Sequence, residues 1–221
     1  MFGIKKFIFG DGLLDSLPAD VKQAVSEWQA LPAVSLDSTH FLTRYVVIDV
    51  ATDGPKPDAN RLTGIAAMVV YRGEIAPGES LFVDFAASTA DANLQARQWA
   101  ALLRFIGQSP LVSYHQGFGA AFIQQGAKRQ LGIAFEPPWL DLAWLLPAMF
   151  AELNDKPQPL DEWVQRFGLD LGSGRRQPME NAMILARMMQ MILVRAHGKG
   201  VGTATALIEE SHASSVLRRT L

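Results

Sequence analysis

The chain contains no cysteine. Disulfide staples, thiolate catalysis and cysteine-held metals are therefore excluded, and a reducing compartment is compatible with the composition. Long apolar runs are missing as well. The most apolar stretch, Ala182 to Val194, is broken by Arg187 and Gln190, whereas a bilayer span needs about 20 apolar residues. Met1 to Gly10 carries Lys5 and Lys6 but no sustained apolar segment with a small-residue cleavage site, as a secretory leader would. The expectation is a cytoplasmic protein with no membrane partner. There is no excess of positive charge: the formal net charge is -2 and the pI about 6.1. Strong non-specific binding to nucleic acid is not the default for such a chain, although a local basic patch is compatible with it. Charged residues are only 19% against 49% hydrophobic, which excludes a disordered, self-repelling tail protein. With 221 residues, the chain is long enough to bury a core without staples.

What is present reads as an ordered succession of elements. Leu17–Leu31 has Val21, Val25, Trp28 and Leu31 at helical spacing and predicts an amphipathic helix. Arg44–Val50 (RYVVIDV) is rich in β-branched residues and predicts a buried strand. After the turn-rich loop Asp53–Asn60, strands are expected at Gly64–Tyr71 and Ser80–Phe85, joined through Arg72, Gly73 and Pro77–Gly78. Their closeness in sequence favours an antiparallel meander. A helix at Asp91–Ile106, a strand at Leu111–Tyr114, a helix at Phe118–Leu131 and a short strand at Pro138–Leu142 follow. Helices are expected at Leu142–Phe150, Leu160–Phe167, Met179–Ala196 and Thr203–Leu217. This order predicts an α/β domain with a mixed five-stranded sheet flanked by helices. The boundary falls near residue 40, giving a helical extension (1–40) and a main domain (41–221).

Few positions stand out chemically. Asp49 ends the buried strand beside a glycine-containing loop, where a carboxylate serves either as a metal or substrate ligand or as a cap for the turn. Gly117-Phe118-Gly119 does not complete a dinucleotide fingerprint, because Phe122 stands at the third glycine position, and no cofactor of that kind is expected. Gly198–Gly202 has the wrong spacing for a phosphate loop and reads as a hinge between helices. The histidines, His40, His115, His197 and His212, show no i, i+4 pair and read as structural. Met179, Met183, Met188, Met189 and Met191 share one helix and read as core filling.

Taken in order, five blocks resemble the DEDD 3′–5′ exonucleases, the family of the DNA polymerase III epsilon subunit and RNase T. They are Val46–Gly54 (VVIDVATDG), Leu111–Ile123 (LVSYHQGFGAAFI), Trp139–Leu142 (WLDL), Leu160–Gly168 (LDEWVQRFG) and Arg176–Ala186 (RQPMENAMILA). The resemblance covers residues 44 to 197 and implies an RNase H-like fold. In that family four carboxylates hold two Mg²⁺ ions about 3.5–4 Å apart around the scissile phosphate, and a histidine takes a proton from the attacking water.

Here only Asp49 matches. The glutamate position is Ala51, the second-block aspartate is Gly119, the histidine is Arg176 and the last aspartate is Asn181. Asp49 alone cannot offset two divalent ions, and a guanidinium cannot act as a base. Glu180, one residue before Asn181, is about 100° around the helix and is expected to point elsewhere. The resemblance therefore implies an epsilon-like pseudo-exonuclease that expects no cofactor. Its cleft would retain binding of single-stranded nucleic acid or of a protein, with Arg175, Arg176 and Phe118 as the nucleic-acid contacts; the two arginines either replace metal charge or form a solvated loop pair after Gly172-Ser173-Gly174. Phe118 is also expected to pack as core at its helix start. Two alternatives stand beside this reading. One is an active exonuclease using Mg²⁺ or Mn²⁺ on Asp49, with Asp53 or Asp141 in a rearranged site. The other is a scaffold that docks a protein partner through its terminal helices.

Overall fold

The run around Val46 becomes the middle strand of a sheet because its side chains can be covered on both faces. In the computed structural model, which describes residues 11–88, 90–169 and 176–219, β1 (Tyr45–Thr52) pairs antiparallel with β2 (Leu62–Tyr71). On the far side of β2 lies β3 (Glu74–Asp84), also antiparallel. On the far side of β1, β4 (Leu111–Ser113) and β5 (Trp139–Asp141) add in parallel. The order β3-β2-β1-β4-β5 is the expected meander continued by two parallel strands.

The β2–β3 connection is tighter than the sequence suggested. It consists of Arg72 and Gly73 alone, with φ of 56° and 75°; positive φ at both positions matches the twist of the flanking strands. Pro77 and Gly78 are not part of the turn. They lie within β3, where Met68 pairs with Ser80 but Val69 with Ala76. Proline offers no N–H to a ladder, so an irregularity on an edge strand accommodates it.

Strand alternation sorts the core into two layers. Val46, Ile48, Ile65, Ala67 and Val69 face a layer that includes α3 (Ala92–Ile106) and α4 (Gln116–Leu131). Tyr45, Val47, Met68 and Val70 face α5 (Leu142–Met149), α6 (Leu160–Arg166), α7 (Pro178–Gly198) and α8 (Ala204–Arg219). Met188 and Met189 are fully buried here and Met179 and Met183 pack against the same layer, so these four fill core as expected, whereas Met191 is only half-buried and outside it. No helix among the described residues is long and apolar enough to cross a membrane.

The N-terminal helices are α1 (Asp11–Ser16) and α2 (Ala19–Ala30). The latter buries Val21, Ala24 and Val25 in the first layer, and Trp28 Nε1 donates to the Gly107 carbonyl at 2.8 Å. At the other end Thr39 bridges to Thr203. His40 joins Tyr45 Oη (2.7 Å) to the Val201 carbonyl (2.9 Å), a structural role as expected. Gly200, with φ of 77°, turns the chain between α7 and α8.

Candidate functional site

Strand parity decides where Asp49 faces. Tyr45 and Val47 point into the α7 layer, and Asp49 and Ala51 continue the same row on β1. The N-terminal turn of α7 starts at Pro178, whose missing N–H and fixed φ suit a helix start. That turn carries Asn181 to Asp49: Asn181 Nδ2 donates to Asp49 Oδ2 at 3.2 Å. Arg176 Nε donates to Asn181 Oδ1 at 2.8 Å, and Arg176 Nη2 donates to Asp161 Oδ1 in the first turn of α6. A continuous chain, Asp49–Asn181–Arg176–Asp161, thus links β1, α7 and α6.

The chain fixes its own polarity. Guanidinium only donates, so it demands the amide oxygen of Asn181 and leaves the amide N–H for the carboxylate. The inner end is half-buried and the outer end wet: Asp49 is partly covered, the Arg176 side chain is 23% exposed and that of Asp161 69%. Burial pushes the Asp49 carboxyl up to about 6, against the pull of Asn181, the Val50 backbone and the Arg176 charge. Sequence reasoning assigned no role to Asp161. Its position in the first turn after Pro159 marks a helix start, but nothing local announces a partner fifteen residues away.

The remaining carboxylates are committed elsewhere. Glu180 accepts from the Gln177 N–H at 2.7 Å and so points away from Asn181, as expected. Asp53 accepts from the Arg61 N–H at 2.6 Å, closing its own loop. Asp141 is buried and receives three backbone N–H groups at 3.0 Å: His115, Gln116 and Ala143. It caps α5 and ties down the start of α4, where His115 is held at φ 54°. Burial raises the Asp141 carboxyl above the ordinary range, while the N–H donors pull it down. Ala51 and Gly119 carry no polar side chain; a Cβ at Gly119 would meet Ser113 Oγ and Val50 only at 3.7 Å, an ordinary contact.

As a donor set for two divalent cations these side chains do not fit. Asp49 faces an amide N–H that repels a cation, and Arg176 adds a fixed positive charge nearby. Among the described residues no group of three or more His, Asp or Glu is placed to share a metal ion.

Phe118 is not core. It is 41% exposed in the first turn of α4, with its ring tilted against Phe122 at 5.0 Å. The helix buries Gly119, Phe122 and Ile123 instead, and Phe118, one turn before Phe122, touches that ring from a half-exposed position. Arg175 lies outside the described residues.

The fold is shared with bacterial exonuclease I. E. coli exonuclease I in complex with a dA16 oligonucleotide aligns with a TM-score of 0.55 at 14% identity, covering 76% of this chain and 42% of that one. The zinc-bound form of an E. coli exonuclease I complex with single-stranded DNA gives 0.54 at 15%, covering 72% and 42%. Exonuclease I of Methylocaldum szegediense gives 0.52 at 13%, covering 72% and 42%. The chain thus spans less than half the length of these solved relatives. No protein-family model matches the sequence, and no curated protein matches it.

Proposed function

We propose that this chain is an epsilon-like member of the DEDD exonuclease family in which hydrolysis has been lost and binding of single-stranded nucleic acid retained. The observation that carries this reading is the chain Asp49–Asn181–Arg176–Asp161. It fills with neutral and cationic groups the positions that the resemblance assigns to metal ligands and general base, so no resident metal is proposed. In this reading residues 41–221 carry the exonuclease-like unit and residues 1–40 its helical extension. The cysteine-free composition suits the cytoplasm.

Three features support strand binding. Two solved structures that share this fold are of E. coli exonuclease I in complex with dT13 and dA16 oligonucleotides. The half-exposed Phe118 ring offers a stacking platform, worth about 1–3 kcal/mol per base in such sites. Arg176 meets a well-exposed Asp161, and a phosphate can exchange with a carboxylate on a guanidinium fork. Arg175 would add a second cation beside it.

The test uses a 5′-labelled single-stranded oligonucleotide with Mg²⁺ or Mn²⁺. The expected result is no shortening, with binding that weakens as salt rises and falls in Phe118→Ala. Stepwise shortening abolished by Asp49→Ala would establish the active enzyme instead. Absence of binding at low salt would overturn the nucleic-acid reading and leave the protein scaffold.

A further inference from the structure

Away from Asp49, on the α3–α4 face of the sheet, lies a cavity of about 390 Å³. The loop between β1 and β2 forms one wall, tethered by Gln125 Nε2 donating to Asp58 Oδ1 at 2.9 Å. The floor is aromatic: Phe85 and Trp99 are stacked at 5.1 Å and nearly buried. At Gly126 a Cβ would fall 2.2 Å from Trp99 Cζ2, so only glycine lets α4 lie against that ring.

Four polar side chains converge on this space without a partner. Arg61 and Arg129 line it and, among the described residues, belong to none of the ion pairs. Gln95 and Gln130 also line it and are half-buried, yet their amides make no side-chain hydrogen bond among the described residues. Among the described residues Arg44, Arg97, Arg104, Arg176 and Arg195 hold carboxylates, whereas Arg61 and Arg129 share their lack of an ion pair with Arg72, Arg166 and Arg187 and differ from these in lining one cavity together. Asp53, the acid in the cavity wall, is turned into its own loop by the Arg61 N–H. The excess charge in the cavity is therefore positive.

Two free guanidinium forks suit a phosphate, which they can meet bidentately. An apolar floor suits the ring of a heterocycle, and two uncommitted amides can donate to and accept from its edge. The volume lies at the lower end of the range of about 300–1,000 Å³ usual for small-molecule sites. We propose that this cavity is a binding site for a nucleoside monophosphate, with Arg61 and Arg129 on the phosphate and Gln95 and Gln130 on the base. The site is separate from the Asp49 chain and does not rest on the reading given to that chain.

Calorimetric titration of the full chain with dAMP tests this, with deoxyadenosine and inorganic phosphate as controls. Binding of dAMP is expected to be at least about tenfold tighter than either half, and to weaken about tenfold in Arg61→Ala and in Arg129→Ala. Both arginines are exposed, so these variants keep the core intact. In parallel, dAMP should shift the side-chain amide resonances of Gln95 and Gln130 and the indole of Trp99. Inorganic phosphate binding as tightly as dAMP, unchanged affinity in both arginine variants, or shifts centred on Asn181 would each overturn the proposal.

Discussion

Asn181 Oδ1 accepts from Arg176 Nε at 2.8 Å while its Nδ2 donates to Asp49 at 3.2 Å. One amide thus relays the demand of a guanidinium to a half-buried carboxylate. An aspartate at 181 would face Asp49 with a second negative charge, and a histidine at 176 would not reach Asp161 with the same fork. Asn181 and Arg176 are complementary, since each supplies the partner that the other requires.

The first prediction concerns Asp49 and pH. Its folded pKa, about 6, lies above the ordinary 3.8, so the native state binds more protons than the unfolded state between those values. Stability is then fullest below about pH 4, declines as pH rises towards 6, and is flat above. Asp49→Asn removes the charge and keeps an acceptor for Asn181. It should raise stability at pH 8 by on the order of 1–3 kcal/mol and change it little at pH 4. Urea denaturation of both proteins at the two pH values checks this; an equal difference at both would contradict the assignment.

Arg176→Ala leaves Asn181 Oδ1 without its donor and lets the amide rotate. The cost should be about 1–2 kcal/mol, since the outer contact to Asp161 is solvent-screened. Loss of the nearby cation should also raise the Asp49 carboxyl further, because Arg176 pulls it down. Carbon-detected NMR titration of the Asp49 carboxyl reads this directly. A lysine at 176 has a single ammonium and cannot reproduce the two-sided contact, so Arg176→Lys should resemble the alanine variant.

Much of this was legible in the sequence. The alternation of β1 gave the strand and its two buried faces, and the spacing of α3 and α7 gave helices with the right inner stripes. Glu180 turned away from Asn181 was also readable, because the helix period fixes direction, whereas Asp49 does not end its strand: β1 continues to Thr52, paired with β2 throughout. The partner of Arg176 was not, since Asp161 becomes its neighbour only when α6 packs beside α7. Phe118 misled because an apolar residue at a helix start reads as core, whereas in the first turn of α4 it is Gly119 that is buried and Phe118 that is left exposed. Pro77 and Gly78 carried a turn signal that the edge strand absorbed as an irregularity. The cavity left no signal either, as its lining comes from loop, strand ends and two helices.

Asp141 should matter for folding rather than chemistry. Three backbone N–H groups end on its carboxylate, and Asp141→Ala leaves the starts of two helices uncapped. A loss of roughly 2–4 kcal/mol is expected. Asp141→Asn should fall between, because one amide oxygen can keep His115 and Ala143 while Gln116 N–H meets an NH₂. Chemical denaturation midpoints of the three proteins give the order.

Gly126→Ala tests the packing beneath the cavity. Its Cβ would lie 2.2 Å from Trp99 Cζ2 and 2.7 Å from Cη2. Trp99 is nearly buried and stacked on Phe85, so the ring can yield only towards the cavity it lines, at the cost of that stacking. Overpacking of this kind costs about 1–3 kcal/mol, and the variant should melt several degrees lower. An unchanged melting temperature would mean that α4 slides easily on α3.

The last prediction installs the residues that the resemblance expects. Ala51→Glu, Gly119→Asp, Arg176→His and Asn181→Asp together place acids at the positions to which the resemblance assigns metal ligands, with a histidine beside them. Gly119 has room, since a Cβ there meets nothing closer than 3.7 Å. Without metal the clustered carboxylates repel, so the fourfold variant should be less stable than the parent protein. With Mn²⁺ the balance should invert, because an ion that binds only the folded state stabilises it, by about 2.7 kcal/mol at a concentration of 100 times its Kd. The parent should show no such shift, because Asp49 there faces an amide N–H and a guanidinium. A metal-dependent rise in melting temperature confined to the variant, with stepwise shortening of a single-stranded oligonucleotide, would show that the fold still holds the geometry of hydrolysis. A rise of equal size in the parent would mean that its own side chains already hold the ion.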